Sequence, residues 1–205
     1  VGNLKLSSKK VIKHEFKKKR ILFLTIEHQR HSEMLSSVVI SSQWLEYFEG
    51  LKDFIKKMSD LKLSDSIIVR NKLRKNGWNL SKKLSHQFPK LILDDITDYH
   101  KSIRLSSLVV STYNGATYLE SMSLNIPTIF FWDPTYWELK ESSINDYNEL
   151  IEVGIFHTSA SSAVEFINKT HSDIEGWWFS KKVQAVREKF CEKYSKINRN
   201  LSFDI

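Results

Sequence analysis

Leu108-Val-Val-Ser-Thr-Tyr-Asn-Gly-Ala-Thr-Tyr-Leu-Glu-Ser-Met-Ser-Leu-Asn-Ile-Pro-Thr-Ile-Phe-Phe-Trp-Asp133 is the stretch whose reading decides the fold. The apolar run Leu108–Thr112 predicts a buried strand. Tyr113-Asn114-Gly115 predicts a tight turn, Ala116–Leu124 an amphipathic helix, and Thr128–Trp132 a second buried strand. Together these make a strand-turn-helix-strand unit, with polar side chains gathered where the first strand stops. Open parallel sheets bind their ligands at the carboxyl ends of strands. A helix that begins there directs free backbone N–H groups at whatever lies above it, which favours phosphate. The segment therefore points to a fold and to a class of ligand.

Working outward, Arg20–Ile26 is a compact apolar run that predicts a buried strand, followed by the wholly polar loop Glu27–Ser32. Gln43–Met58 carries Trp44, Leu45, Phe48, Leu51, Phe54 and Ile55 at three- and four-residue steps, the pattern of an amphipathic helix. Strands are predicted at Ser66–Arg70, Lys90–Leu93 and Ile155–His157. Helices are predicted at Trp78–Phe88, Asp98–Ser106, Ile144–Val153, Ser159–Lys169 and Ile174–Lys196. Pro89 ends one of these helices and Gly154 another. Asp94-Asp95 reads as an acidic turn. Strands alternating with helices at this spacing predict an α/β domain, a parallel sheet flanked by helices with right-handed crossovers.

The 205 residues, 41% of them hydrophobic and 12% aromatic, can bury a substantial core, and the few Gly and Pro argue against disorder. The net charge of +7 is local. Val1–Arg20 holds eight basic residues and one acid, so the rest of the chain is formally neutral. Basicity belongs to a leader or linker, which reads either as a solvated segment or as an anion-binding arm for a membrane surface. No aromatic platform or basic stripe recurs further on, so nucleic acid is not an expected partner. The lone Cys191 forms no internal disulfide, which fits a cytosolic protein, and no ligand spacing for a metal is present. No run reaches the ~20 apolar residues of a membrane span. Beginning at Val1 rather than Met, the sequence reads as a fragment or as the C-terminal part of a longer protein.

Several residues could carry chemistry. Gly115 permits a positive φ or a close ligand approach, Ala116 and Thr117 supply helix-start amides, and Thr112, Asn114 and Thr117 add polar side chains. An ordinary βα turn would look the same. Neither a Gly-x-Gly-x-x-Gly fingerprint nor a P-loop is present. Glu120, one helical turn beyond Ala116, reads as a carboxylate for two ribose hydroxyls or as a glutamate helped by the helix N-terminus. Arg70, beside Asn71, Lys72 and Arg74, offers a fork to phosphate or is a surface arginine. In Glu27-His28-Gln29-Arg30-His31, His28 can move protons and Arg30 can steady an anionic leaving group; a solvated loop is the alternative. Trp132, Tyr136 and Trp137 line a pocket for a base or sugar, or form a hydrophobic corner. Trp177-Trp178 reads as core or as an interface with a further domain.

Val-Val-Ser-Thr-Tyr-Asn-Gly-Ala-Thr-Tyr-Leu-Glu, Asn-Ile-Pro-Thr-Ile-Phe-Phe-Trp-Asp-Pro and Glu-Leu-Ile-Glu-Val-Gly-Ile-Phe-His together resemble a family of bacterial surface-carbohydrate transferases of O-antigen or capsule type. The resemblance covers roughly Arg20–Tyr194 and is to the C-terminal, nucleotide-sugar-binding half of GT-B glycosyltransferases; the order of elements is also similar to that of polyol-phosphate and sialic-acid-type transferases. It implies residues 1–19 as a basic leader or linker, 20–196 as a Rossmann-like nucleotide-sugar-binding domain and 197–205 as a tail. It implies a nucleotide-sugar donor held by its diphosphate at Asn114–Thr117 with help from Arg70, and by its ribose at Glu120. No metal or other cofactor is expected, since helix amides and basic residues stabilise the leaving diphosphate. The implied partners are a carbohydrate or lipid-linked acceptor, an N-terminal domain that completes the cleft, and a membrane surface met through the leader, which would place the protein in the cytoplasm at the inner face of the membrane. Two other readings stay open: a non-catalytic interaction module or remnant of such an enzyme, and a sugar-nucleotide epimerase of similar architecture.

Overall fold

Among the described residues six strands run parallel in one sheet: β1 (Ile21–Thr25), β2 (Ile67–Asn71), β3 (Ile92–Leu93), β4 (Leu108–Ser111), β5 (Thr128–Phe131) and β6 (Phe156–His157). Their order is β3-β2-β1-β4-β5-β6. The computed structural model describes residues 20–28, 41–71 and 77–195. Among these the helices are α1 (Ser41–Asp60), α2 (Leu80–Gln87), α3 (Tyr99–Arg104), α4 (Ala116–Ser123), α5 (Ile144–Glu152), α6 (Ala160–Thr170), α7 (Ile174–Trp178) and α8 (Lys181–Tyr194). This is the expected Rossmann-like α/β architecture. The chain builds outward from β1 to β3, then returns through α3 to lay β4 on the other side of β1. The order of strands reverses there, so the crevice at the carboxyl ends of β1 and β4 is the topological switch point. The leader at 1–19 and the tail at 197–205 lie outside the described residues.

Alternation along β1 decides what each face of the sheet meets. Leu22 and Leu24 join Ile103, Val109 and Ile126 in a small cluster. Ile21 and Phe23 face the larger core, where the Phe23 ring stacks on Phe54 of α1 at 4.6 Å between centroids. α1 buries Trp44, Phe48, Leu51, Phe54 and Ile55 on one stripe, as the spacing predicts, and adds Tyr47 and Met58. Leu45 departs from the expectation. It lies off the stripe and is 58% exposed.

The expected single helix over Ile174–Lys196 is two. α7 ends at Trp178 and α8 begins after Ser180, whose hydroxyl accepts the Val183 N–H. The break lets Trp178 turn inward, where its indole N–H donates to Asn125 Oδ1 at 2.9 Å, while Arg187 of α8 donates to the Met122 carbonyl at 3.1 Å. Both contacts close the end of α4. Gly154 follows α5 at φ 77°, the left-handed position expected of a C-terminal glycine. Cys191 is a free, buried thiol. Among the described residues no helix is long and apolar enough to cross a membrane.

Candidate functional site

At the carboxyl ends of β1 and β2 an open cavity of about 420 Å³ is lined by Thr25, Arg70, Asn71, Thr97, Tyr99, Tyr113 and Thr117. Arg70 leaves β2 with its guanidinium already held. It donates to Asp94 Oδ2 at 2.7 Å and to the carbonyls of Ile96 and Thr97, and lies 5.7 Å over the Tyr99 ring. Asp94 has a fully buried side chain that also accepts from Arg20 at 2.8 Å and from the Ser102 hydroxyl at 2.6 Å. Burial acts to raise the Asp94 pKa. The hydrogen bonds from Ser102, Arg70 and Arg20 outweigh it and hold the carboxyl below its ordinary value. The acidic turn is thus an anchor that fixes two arginines rather than a solvated corner.

α3 and α4 are tied across the same cavity. Tyr99 donates its hydroxyl to the Thr117 carbonyl at 3.0 Å, and Thr117 donates its own hydroxyl to Tyr113 Oη at 3.1 Å. Burial raises the Tyr99 pKa, so its phenol keeps its proton. Gly115 caps α4 at φ −150° and ψ 176°. That is extended backbone, so the expectation of a positive φ is not met. What the position requires is space, because a Cβ there would overlap the Tyr113 ring. Ala116 opens the helix, and its first-turn N–H groups have no intrahelical acceptors.

The expected residues divide between places. Arg70 and Thr117 line the cavity, with Asn114, Gly115 and Ala116 forming the turn and helix start beside it. Asn114 is exposed and accepts from the Tyr118 hydroxyl at 3.2 Å. Thr112 is turned elsewhere. It is buried, donates to the Leu24 carbonyl at 2.9 Å and lies 2.7 Å from Tyr47 Oη. Its single proton is committed to Leu24, so Tyr47 is the donor between the two hydroxyls, and the Tyr47 oxygen accepts the Ile26 N–H at 3.0 Å. Glu120 is 5% exposed and places Oε2 3.7 Å from His100 Nε2. His28 is half-buried, its ring edge-on to Tyr47 at 5.9 Å. Arg30, His31, Lys72 and Arg74 lie outside the described residues.

The model for the LIC12162 family transferase matches residues 1–203. This chain belongs to that family. No individually curated protein matches the sequence of this LIC12162 family transferase. Among solved structures it is similar to the wall teichoic acid polymerase TagF, with 11% identity and a TM-score of 0.46, over 85% of this chain and 38% of the TagF chain. The chain therefore spans well under half the length of that polymerase.

Two features of the LIC12162 family chain escape a reading of its sequence. Glu27, expected in a polar loop, is 2% exposed and accepts from Asn71 Nδ2 at 2.7 Å and the Leu80 N–H at 3.0 Å. It thereby pins the end of β1 to the end of β2 and to the start of α2. Tyr99, the second, stands between Arg70 and α4, and only its place at the start of a helix hinted at it. A carboxylate after a strand and a tyrosine at the first position of a helix carry no pattern that separates them from surface residues.

Proposed function

We propose that this transferase domain is the donor-binding half of a GT-B glycosyltransferase or related polyol-phosphate transferase of surface-polysaccharide biosynthesis, and that its nucleotide-sugar diphosphate occupies the cavity beside the start of α4. One observation carries the reading: a guanidinium fixed by a buried carboxylate and a helix N-terminus border one cavity at the sheet's switch point. Arg70 offers positive charge with its geometry set before the ligand arrives, and first-turn amides of α4 offer N–H donors. Both suit an anion of two phosphates. Membership of a transferase family and the motif resemblance support the reaction type.

In the reaction this implies, the bond from the sugar carbon to the diphosphate oxygen breaks and a bond to an acceptor hydroxyl oxygen forms. The acceptor proton passes to a base and the nucleoside diphosphate departs as an anion. Arg70, Asn114, Gly115, Ala116 and Thr117 are the assigned diphosphate contacts, since charge develops on that group. Thr112 supports the strand end behind them, and Glu120 is the assigned ribose carboxylate. His28, which follows β1, and Arg30 remain the assigned proton carrier and leaving-group partner. The acceptor, carbohydrate or lipid-linked, would meet the complementary N-terminal domain, and the basic leader at 1–19 would hold the assembly near an anionic membrane surface.

Ligand-observed NMR on the full chain tests this with UDP, CDP and their sugar conjugates. Saturation transfer to the nucleotide, weakened in Thr117→Val and Glu120→Gln, is the expected result. Absence of transfer for every nucleotide sinks the donor role, and indifference to Glu120→Gln sinks the ribose role alone.

A further inference from the structure

A second cavity, of about 240 Å³, opens on the other side of the end of β4 and shares no lining residue with the first. Thr112 borders this one and Tyr113 borders the other, so successive residues at the strand end face different chambers. The walls are chemically unlike. The first cavity presents Arg70 and, among its described lining residues, no carboxylate. The second presents Glu46, Asp53 and Asp133, of which Asp53 is already paired with Lys57, one turn further along α1, and no lysine or arginine is among its described lining residues.

Its apolar wall is aromatic: Phe131, Trp132, Tyr136 and Trp137. Trp132 and Trp137 are 2% and 7% exposed, and the indole N–H of each is buried with no hydrogen-bond partner among the described residues. Two unused donors in one wall are a cost that a native fold rarely leaves without reason. The start of α6 lies on the same cavity at Ser159–Ser161, and α6 is eleven residues long. The residues lining the cavity therefore bring donors (indole and first-turn N–H groups), carboxylate acceptors (Glu46 and Asp133, with Asp53 already paired to Lys57) and aromatic side chains.

We infer that this cavity binds the ring of a neutral or amino sugar, separately from any phosphate. Hydroxyl groups both donate and accept, so they can satisfy indole N–H and carboxylate at once. The C–H faces of a pyranose suit aromatic walls. The carboxylates of Glu46 and Asp133 disfavour a phosphate or an acidic sugar. A volume below the ~300–1,000 Å³ usual for larger ligands leaves room for one ring rather than an oligosaccharide. This site goes beyond the donor reading and stands whether or not a nucleotide binds on the other side of β4.

The test is saturation-transfer NMR on the full chain with methyl glycosides of glucose, galactose and N-acetylglucosamine, run beside the tryptophan emission of the protein. Binding of order millimolar is expected for at least one glycoside, as befits a single small ring. Trp137→Phe keeps an aromatic ring, though a smaller one, and deletes the N–H, and should weaken that binding about tenfold. Tyr136→Ala, at a half-buried position, is the second variant and should weaken it too. Inorganic pyrophosphate should not compete. The inference is overturned if no glycoside binds the folded wild type, if both variants bind as wild type does, or if pyrophosphate displaces the sugar. A negative result here leaves UDP and CDP binding unaffected, so the two sites fail separately.

Discussion

Arg70 Nη1 donates to Asp94 Oδ2 at 2.7 Å, and the other carboxylate oxygen of Asp94 accepts from Arg20 at 2.8 Å. One fully buried carboxylate thus fixes the end of β2, the residue before β1 and the loop that follows β3. Arg70 approaches the cavity pre-ordered, with less side-chain entropy to lose when an anion arrives.

Asp94→Asn should accordingly cost both stability and anion affinity. The amide cannot balance two guanidinium groups that are 14% and 21% exposed. A loss of about 2–4 kcal/mol in urea denaturation is expected, somewhat below the range for a fully buried pair because both arginines keep some contact with water. A change of under ~0.5 kcal/mol, the range of ordinary surface substitutions, would contradict the anchoring role.

Acid should destabilise the domain in two stages. His157 on β6 is held neutral: burial is the larger effect and lowers its pKa to about 4, against a smaller opposing hydrogen bond to the Gly154 carbonyl. The unfolded chain protonates this side chain near pH ~6.5. Between the two values the unfolded state binds more protons, so stability falls as pH falls, with a slope of up to about 1.4 kcal/mol per pH unit. The Asp94 contribution is present above the ordinary carboxylate pKa and is lost as pH drops beneath it, because its folded value is depressed. Denaturation curves across this range should flatten in the upper stage for His157→Gln. An unchanged slope in that variant argues against the buried neutral imidazole.

Tyr47→Phe tests the bolt between α1 and the two central strands. The change removes the acceptor of the Ile26 N–H and the donor to Thr112 Oγ1. Leaving these groups without partners in a buried place should lower stability by about 1–3 kcal/mol, read as a drop in Tm.

Two glycines should respond differently to alanine. Gly154 has φ 77°, and a Cβ there meets the Phe166 ring, so Gly154→Ala combines backbone strain with overpacking and should cost about 1–3 kcal/mol. Gly115 has an extended backbone that alanine adopts freely, and the nearest atoms a Cβ would meet belong to the Tyr113 ring. Gly115→Ala should cost less, about 0.5–1 kcal/mol, because an N-cap glycine is exchanged for alanine and the Tyr113 ring at the first cavity must shift. Weaker nucleotide binding with an intact fold is the outcome to look for. Equal destabilisation by both substitutions would show that φ does not separate them.

The sequence by itself determined the parallel α/β order, most element positions and the turn at Asn114-Gly115, because apolar periodicity and capping act over a few neighbouring residues. It also placed Arg70 and Thr117 at strand and helix ends, where the cavity lies. It misjudged the stretch after Ile174, because a serine can cap one helix or sit on the surface of a longer one, and only the burial of Trp178 and Arg187 against the end of α4 selects the break. The tertiary structure alone decided the fate of the acids. Asp94 meets Arg20 across 74 residues, and Glu27 meets Leu80 across 53. A carboxylate bound for burial looks the same along the chain as one left in water, since what distinguishes them is a partner supplied by a distant segment. The same holds for the indole donors of Trp132 and Trp137, which became informative once the fold had enclosed them beside a cavity.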